Sequence, residues 1–188
     1  MIEIRNGLKL DLKDLSENIA GHRIGLKSCK YFKRLVGGET VGQDSISGYY
    51  YALLRDYISI QNKSGYEALK SKGLEFITND SLRVKVIALY DYHYEILEKL
   101  EENYHEIQFN KSYFSQINDL LAEYLVFDKK GTLKSIRQPL KLSPKDQNAF
   151  FSYLMRIEFN RKAMLMYYNQ VEKQVKDLIT ILDQAIKN

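Results

Sequence analysis

From Leu154 onward, Leu154, Ile157, Arg161, Met164, Tyr168, Val171, Val175, Leu178, Leu182 and Ala185 follow one another at steps of three and four. That spacing puts all of them on one face of an unbroken helix, about 65 Å long when counted from Pro144 at ~1.5 Å per residue. A helix of that length with one apolar stripe has to bury it against other helices. Nine of the ten residues suit a core, and Arg161 does not. A guanidinium on a buried stripe costs several kcal/mol unless it is paired. The acids weighed as its partner are Glu67, in a short segment between Gly65 and Gly73, and then Glu158, one turn earlier on the same helix. A Glu67–Arg161 pair would act as a clasp. The alternative is an Arg161 side chain that snorkels from the edge of the stripe.

A first helix is predicted over residues 2–36, with Ile4, Leu8, Leu12, Leu15, Ile19, His22, Leu26 and Cys29 inward and Gly37-Gly38 as its stop. Its stripe is in phase from residue 4 without a preceding cap, as in a helix that begins upstream. Asp44 is expected to cap a second helix with Ile46, Tyr50, Leu53, Tyr57 and Ile60 on one side. A short helix over 66–71 ends at Gly73. Thr78-Asn79-Asp80-Ser81 then opens a helix to about residue 108, with Leu82, Val86, Leu89, His93, Ile96, Leu100 and Ile107 inward. Another helix starts at Asn110 or Ser112 and turns Phe114, Ile117, Leu121 and Tyr124 to one face. Residues 128–142 read as polar, basic and irregular. Ser143-Pro144-Lys145-Asp146 opens the last helix, with serine as cap and proline in the first helical position. Two prolines and ten glycines in 188 residues favour long helices over a turn-rich β fold. The fold class is therefore all-α: a bundle of five or six helices over one domain, 1–188, with long first and last helices and a short crossing segment near 65–77.

The chemistry-bearing residues are few. Glu102-Asn103-Tyr104-His105 has the Glu-x-x-His spacing of di-iron bundles, but such sites need a second copy, and Ile19 and Tyr90 stand where His22 and His93 would require glutamates. No metal site follows from that pattern. His22 and His93 lie on apolar stripes, as core-edge residues or as a pH-sensitive pair. Cys29 is the single cysteine and reads as a small apolar packer. No nucleophile elbow, phosphate loop or dinucleotide fingerprint is present, so neither an enzyme nor a cofactor is expected. Lys129, Lys130, Lys134, Arg137, Lys141 and Lys145 form a basic run suited to phosphates of lipid headgroups or nucleic acid. Only Phe127 lies near enough to stack on a base, which disfavours nucleic acid.

Gly65-Tyr66-Glu67-Ala68-Leu69-Lys70-Ser71-Lys72-Gly73-Leu74, Ile77-Thr78-Asn79-Asp80-Ser81-Leu82-Arg83 and Ile87-Ala88-Leu89-Tyr90 resemble the signature of an uncharacterised family of small bacterial proteins, a domain of unknown function. Glu67, Gly73 and Asn79 match signature positions, and the last two read as helix stop and cap. The resemblance implies one N-terminal transmembrane helix, absent from this sequence, followed by an all-helical domain on the periplasmic side of the inner membrane. The sequence then reads as the part after that helix. The function expected is a non-enzymatic, membrane-tethered interaction or scaffold domain that binds a protein partner or a second copy. The alternative is a small-molecule sensor with a pocket lined from Tyr49, Tyr50, Tyr51, Tyr57, Tyr90, Tyr92, Tyr94, Tyr167 and Tyr168.

Overall fold

The computed structural model describes residues 1–55, 57–102 and 114–187. It is an all-α bundle with a long first and a long last helix and one small sheet. In chain order the elements are α1 (Ile2–Val36), α2 (Ile46–Leu54), α3 (Ser64–Lys72), a 3-10 turn (Leu74–Phe76), α4 (Asp80–Ala88), a π-helical turn (Leu89–His93), α5 (Tyr94–Glu102), α6 (Ser115–Leu121), a second 3-10 turn (Ala122–Tyr124), β1 (Leu125–Phe127), β2 (Leu133–Ile136) and α7 (Pro144–Lys187). Among the described residues no helix is long and apolar enough to cross a membrane. By length the chain reads as one domain, but its contacts group into two compact units. The first unit takes Met1–Ala20, Ile58–Asn103 and Leu165–Asn188, and the second takes Gly21–Tyr57 and Tyr104–Met164. Residues 103–113, including Asn110, Ser112 and His105, lie outside the described residues.

Helix ends follow local chemistry. Gly38, at φ +88°, closes α1 while the amides of Gly37 and Glu39 reach the carbonyls of Lys33 and Arg34 at 2.9 and 3.0 Å. Gly73, at φ +112°, stops α3 and donates to the Leu69 carbonyl at 3.0 Å. Asn79 Oδ1 accepts from the Leu82 amide at 3.0 Å and caps α4. At the start of α7, Ser143 Oγ accepts from the Asp146 amide at 3.1 Å and donates to the Asp146 carboxylate at 2.7 Å.

Three expectations are corrected. α2 ends at Leu54 instead of continuing to Ile60, because the backbone turns extended at Arg55; Ser45 occupies the cap position assigned to Asp44 and makes no side-chain cap bond. Part of the basic segment is a hairpin: β1 pairs antiparallel with β2, Leu125 opposite Ile136 and Phe127 opposite Leu133, with an irregularity between Val126 and Phe127. Strands of three and four residues are too short to show a period of two in sequence. The helix opening at Asp80 also changes phase. The π-turn over Leu89–His93 adds a residue to the winding, so Tyr94, Leu97 and Glu101 are buried where His93, Ile96 and Leu100 were expected, and those three are only half-buried.

The first unit buries Ile4, Leu8, Leu15 and Ile19 of α1 together with Tyr66, Leu82, Val86, Leu89, Leu97 and the α7 residues Tyr168, Val171, Val175 and Leu178. α3 meets the start of α1 closely: a Cβ on Gly65 would lie 3.0 Å from the Ile4 backbone nitrogen. Tyr66 stacks on Tyr90, centroids 4.5 Å apart and rings nearly parallel, and its hydroxyl donates to Asp91 at 2.8 Å.

The extended segment 58–62 has no ladder partner, so side chains serve its backbone. Asn18 donates to the Ile58 carbonyl at 3.2 Å. Glu101 accepts from the Ser59 amide at 3.0 Å, Asp14 from Ile60 at 3.0 Å and Asp11 from Asn62 at 2.7 Å. Tyr94 and Tyr168 donate their hydroxyls to Asp11 and Glu101 respectively. Burial holds all three carboxyls above the ordinary range, only partly offset by these hydrogen bonds. A raised acid binds its proton more tightly in the folded state, so its contribution to stability is present at low pH. That contribution is lost as pH rises from the ordinary carboxyl range through the raised values. Glu101→Gln keeps an acceptor for Ser59 and is expected to flatten that decline. Glu101→Leu strands the Ser59 amide and the Tyr168 hydroxyl and is expected to cost about 2–3 kcal/mol. Urea titrations of both variants across pH check this pair.

Candidate binding surfaces

Arg161 is 1% exposed and lies in the second unit. Its Nη2 donates to the carbonyls of Leu53 at 3.3 Å and Arg55 at 3.1 Å, the two groups released where α2 unwinds. The guanidinium carbon lies 5.4 Å from the Tyr57 ring centre, and that of Arg55 lies 5.5 Å from the same ring. α1 makes room for this arrangement with two glycines four residues apart. A Cβ on Gly21 would sit 2.0 Å from Tyr57 Cε1, and one on Gly25 would sit 2.1 Å from Arg161 Nη1. The His22 ring packs against Tyr57, centroids 5.2 Å apart. Burial, reinforced by the Arg161 charge, pushes its pKa down to about 3.

The anticipated Glu67–Arg161 clasp is corrected. Each residue is held within its own unit: Glu67 is exposed on α3 and makes no ion pair among the described residues. Gly65 and Tyr66 take the inward positions of that short helix, which leaves Glu67 on the solvent side. Glu158, the second choice, pairs with Lys33 and Lys162. The glycine pair had a legible signal, two residues without side chains on one helical face, but nothing in the sequence aligned it with Arg161. Asp11 was also legible as a charge among the inward positions of α1, where it takes the buried place and Leu12 is half-buried.

A cleft of about 460 Å³ opens in the second unit between α1, α2 and the extended residues after it. Ile24, Tyr49, Tyr51 and Tyr57 give it apolar walls, with Arg55 and Asp44 as its charged groups. The remaining tyrosines of the expected pool go elsewhere. Tyr50, Tyr90, Tyr94 and Tyr168 are buried in the cores, while Tyr92 and Tyr167 line a cleft of about 220 Å³ beside His93 in the first unit. His93 also borders a second cleft of about 260 Å³ with Lys85, Gln174 and Asp177. His22 and His93 belong to different units.

The basic residues Lys129, Lys130, Lys134, Arg137 and Lys141 are all exposed, on the β1–β2 hairpin and the loop behind it. Asp128 shapes the hairpin turn by accepting from the amides of Lys130 and Thr132 at 2.9 Å each, and Gly131 adopts φ +76° there. Lys134 lies 3.4 Å from the same carboxylate, and Arg137 donates to the Glu123 carbonyl.

The fold and these surfaces define an all-α protein whose described residues hold no group of three or more potential metal ligands. Comparison with family models, with curated proteins and with solved structures returned no match.

Two outcomes are expected of the Arg161 site. Gly25→Ala forces a methyl group into the guanidinium and is expected to cost about 1–3 kcal/mol, read by thermal or urea unfolding. A histidine with a depressed pKa contributes stability above its unfolded value, near 6.5, and loses it as pH falls toward the folded value. Relative to His22→Gln, the protein is expected to lose about 2 kcal/mol between neutral pH and roughly pH 5.

Proposed function

We propose that this chain is a non-enzymatic interaction or scaffold domain. The observation that carries the reading is the outer face of α7 in the second unit. Met155 and Phe159, one turn apart, are 59% and 73% exposed, on the side away from the buried Leu154 and Ile157. Residues four apart on a helix share a face, and large apolar side chains held together in water favour being covered. A second copy of the chain is the occupant we assign. On the resemblance of the 65–90 signature we place the domain on the periplasmic side of an inner membrane, tethered through an upstream helix. Light scattering over a rising concentration series is expected to show a mass above the monomer that returns to monomer when Met155→Lys and Phe159→Lys are combined. A monomer across the whole range overturns self-association through this face.

A second reading, small-molecule binding, is favoured by the tyrosine-walled cleft beside Arg55. Its chemistry suits an aromatic carboxylate, with the ring on tyrosine faces and the acid at the guanidinium. A Cβ on Gly48, at the cleft wall, meets nothing within 4 Å, so Gly48→Phe fills the space without backbone strain. A rise in Tm with phenylpropionate that Gly48→Phe abolishes is the expected result. No rise, or one that Gly48→Phe leaves intact, overturns this reading.

A further inference from the structure

We propose that the β1–β2 hairpin of the second unit binds anionic lipid bilayers, with Phe127 entering the headgroup region and the lysines around it contacting lipid phosphates. The first support is the distribution of charge. The segment 125–142 holds five basic side chains and one acid, so it accounts for the entire +4 net charge of the chain; the other 23 basic and 23 acidic side chains balance. The single acid, Asp128, is engaged with two turn amides and Lys134, and those hydrogen bonds hold its carboxyl below the ordinary range. Lys129 and Lys130 at the turn are exposed and have no ion pair among the described residues, so they can face an anionic surface.

The second support is the aromatic residue. Phe127 ends β1 at 54% exposure, next to that turn, while its cross-strand partner Leu133 and the nearby Ile136 are buried in the core of the unit. The hairpin is therefore anchored through Leu133 and Ile136, while the Phe127 ring and the lysines stay exposed. Its turn is pre-formed by the Asp128 amide on the Thr132 carbonyl and the Gly131 amide on the Asp128 carbonyl, both at 3.0 Å. Binding then requires little ordering of backbone. An apolar ring flanked by long cationic side chains matches the bilayer interface, where the ring leaves water and the ammonium groups remain at phosphate level. A single ring offers no series of stacking platforms for nucleic acid. This surface is separate from the α7 face, and the inference does not rest on self-association.

The chain contains no tryptophan, so Phe127→Trp places a single reporter at the proposed point of entry. With the full chain, vesicles of phosphatidylglycerol mixed into phosphatidylcholine are expected to shift the emission to the blue and to sediment the protein. Vesicles of phosphatidylcholine alone are expected to do neither. Combining Lys129→Glu, Lys130→Glu and Lys134→Glu, all at exposed positions, is expected to weaken sedimentation roughly 100-fold while circular dichroism stays unchanged. Unchanged tryptophan emission on anionic vesicles, equal binding to neutral vesicles, or undiminished binding after charge reversal overturns the proposal. So does single-stranded RNA that produces the same blue shift and competes with the vesicles, which would reassign the surface to nucleic acid.

Discussion

Where helix gives way to extended chain after α2, the backbone loses its own hydrogen-bond partners, and charged side chains replace them. In the second unit Arg161 donates to the carbonyls of Leu53 and Arg55. In the first, Asp11, Asp14 and Glu101 accept from the amides of Asn62, Ile60 and Ser59, and Asn18 serves the Ile58 carbonyl. A buried peptide group without a partner costs about as much as a lost hydrogen bond, so each unit can hold this stretch only with its ionisable groups in place. Gly21 and Gly25 belong to the same requirement, since the ring of Tyr57 and the guanidinium occupy the volume their side chains would fill.

Using charges for this purpose gives the two units opposite electrostatics. The first buries carboxyls whose protonation is favoured by desolvation. The second buries a guanidinium and, beside it, an imidazole kept neutral by burial and by that cation. Acid relieves the first arrangement and stresses the second. Loss of stability toward acid and toward higher pH is therefore expected to originate in different units.

The surface follows a different logic. Charges elsewhere on the chain balance, while the hairpin region collects the excess around one exposed phenylalanine. The hairpin can present them because Leu133 and Ile136 tie it into the core. The outer face of α7 likewise presents Met155 and Phe159 because the opposite stripe is fully committed to packing. In both places an element anchored in the core displays side chains that the core does not use.

Much of the architecture was legible in the sequence, because it depends on local chemistry and on a period of 3.6 residues. The limits of α1, the stop at Gly73, the cap at Asn79 and the opening of α7 at Ser143 all follow from residue type and spacing. So does the burial of the α7 stripe as far as Leu182, although Ala185 beyond it is exposed. The candidate binding surfaces were legible only as composition: a basic run, a pool of tyrosines. Tertiary structure alone decided the rest. The π-turn re-phased the helix that opens at Asp80 and put Glu101, which accepts from the Ser59 amide, where Leu100 was expected. Within the second unit the folded chain gave Arg161 the carbonyls of an unwound helix end. Partners brought together from distant parts of the chain leave no periodic trace, so the residues were visible in sequence and their pairing was not.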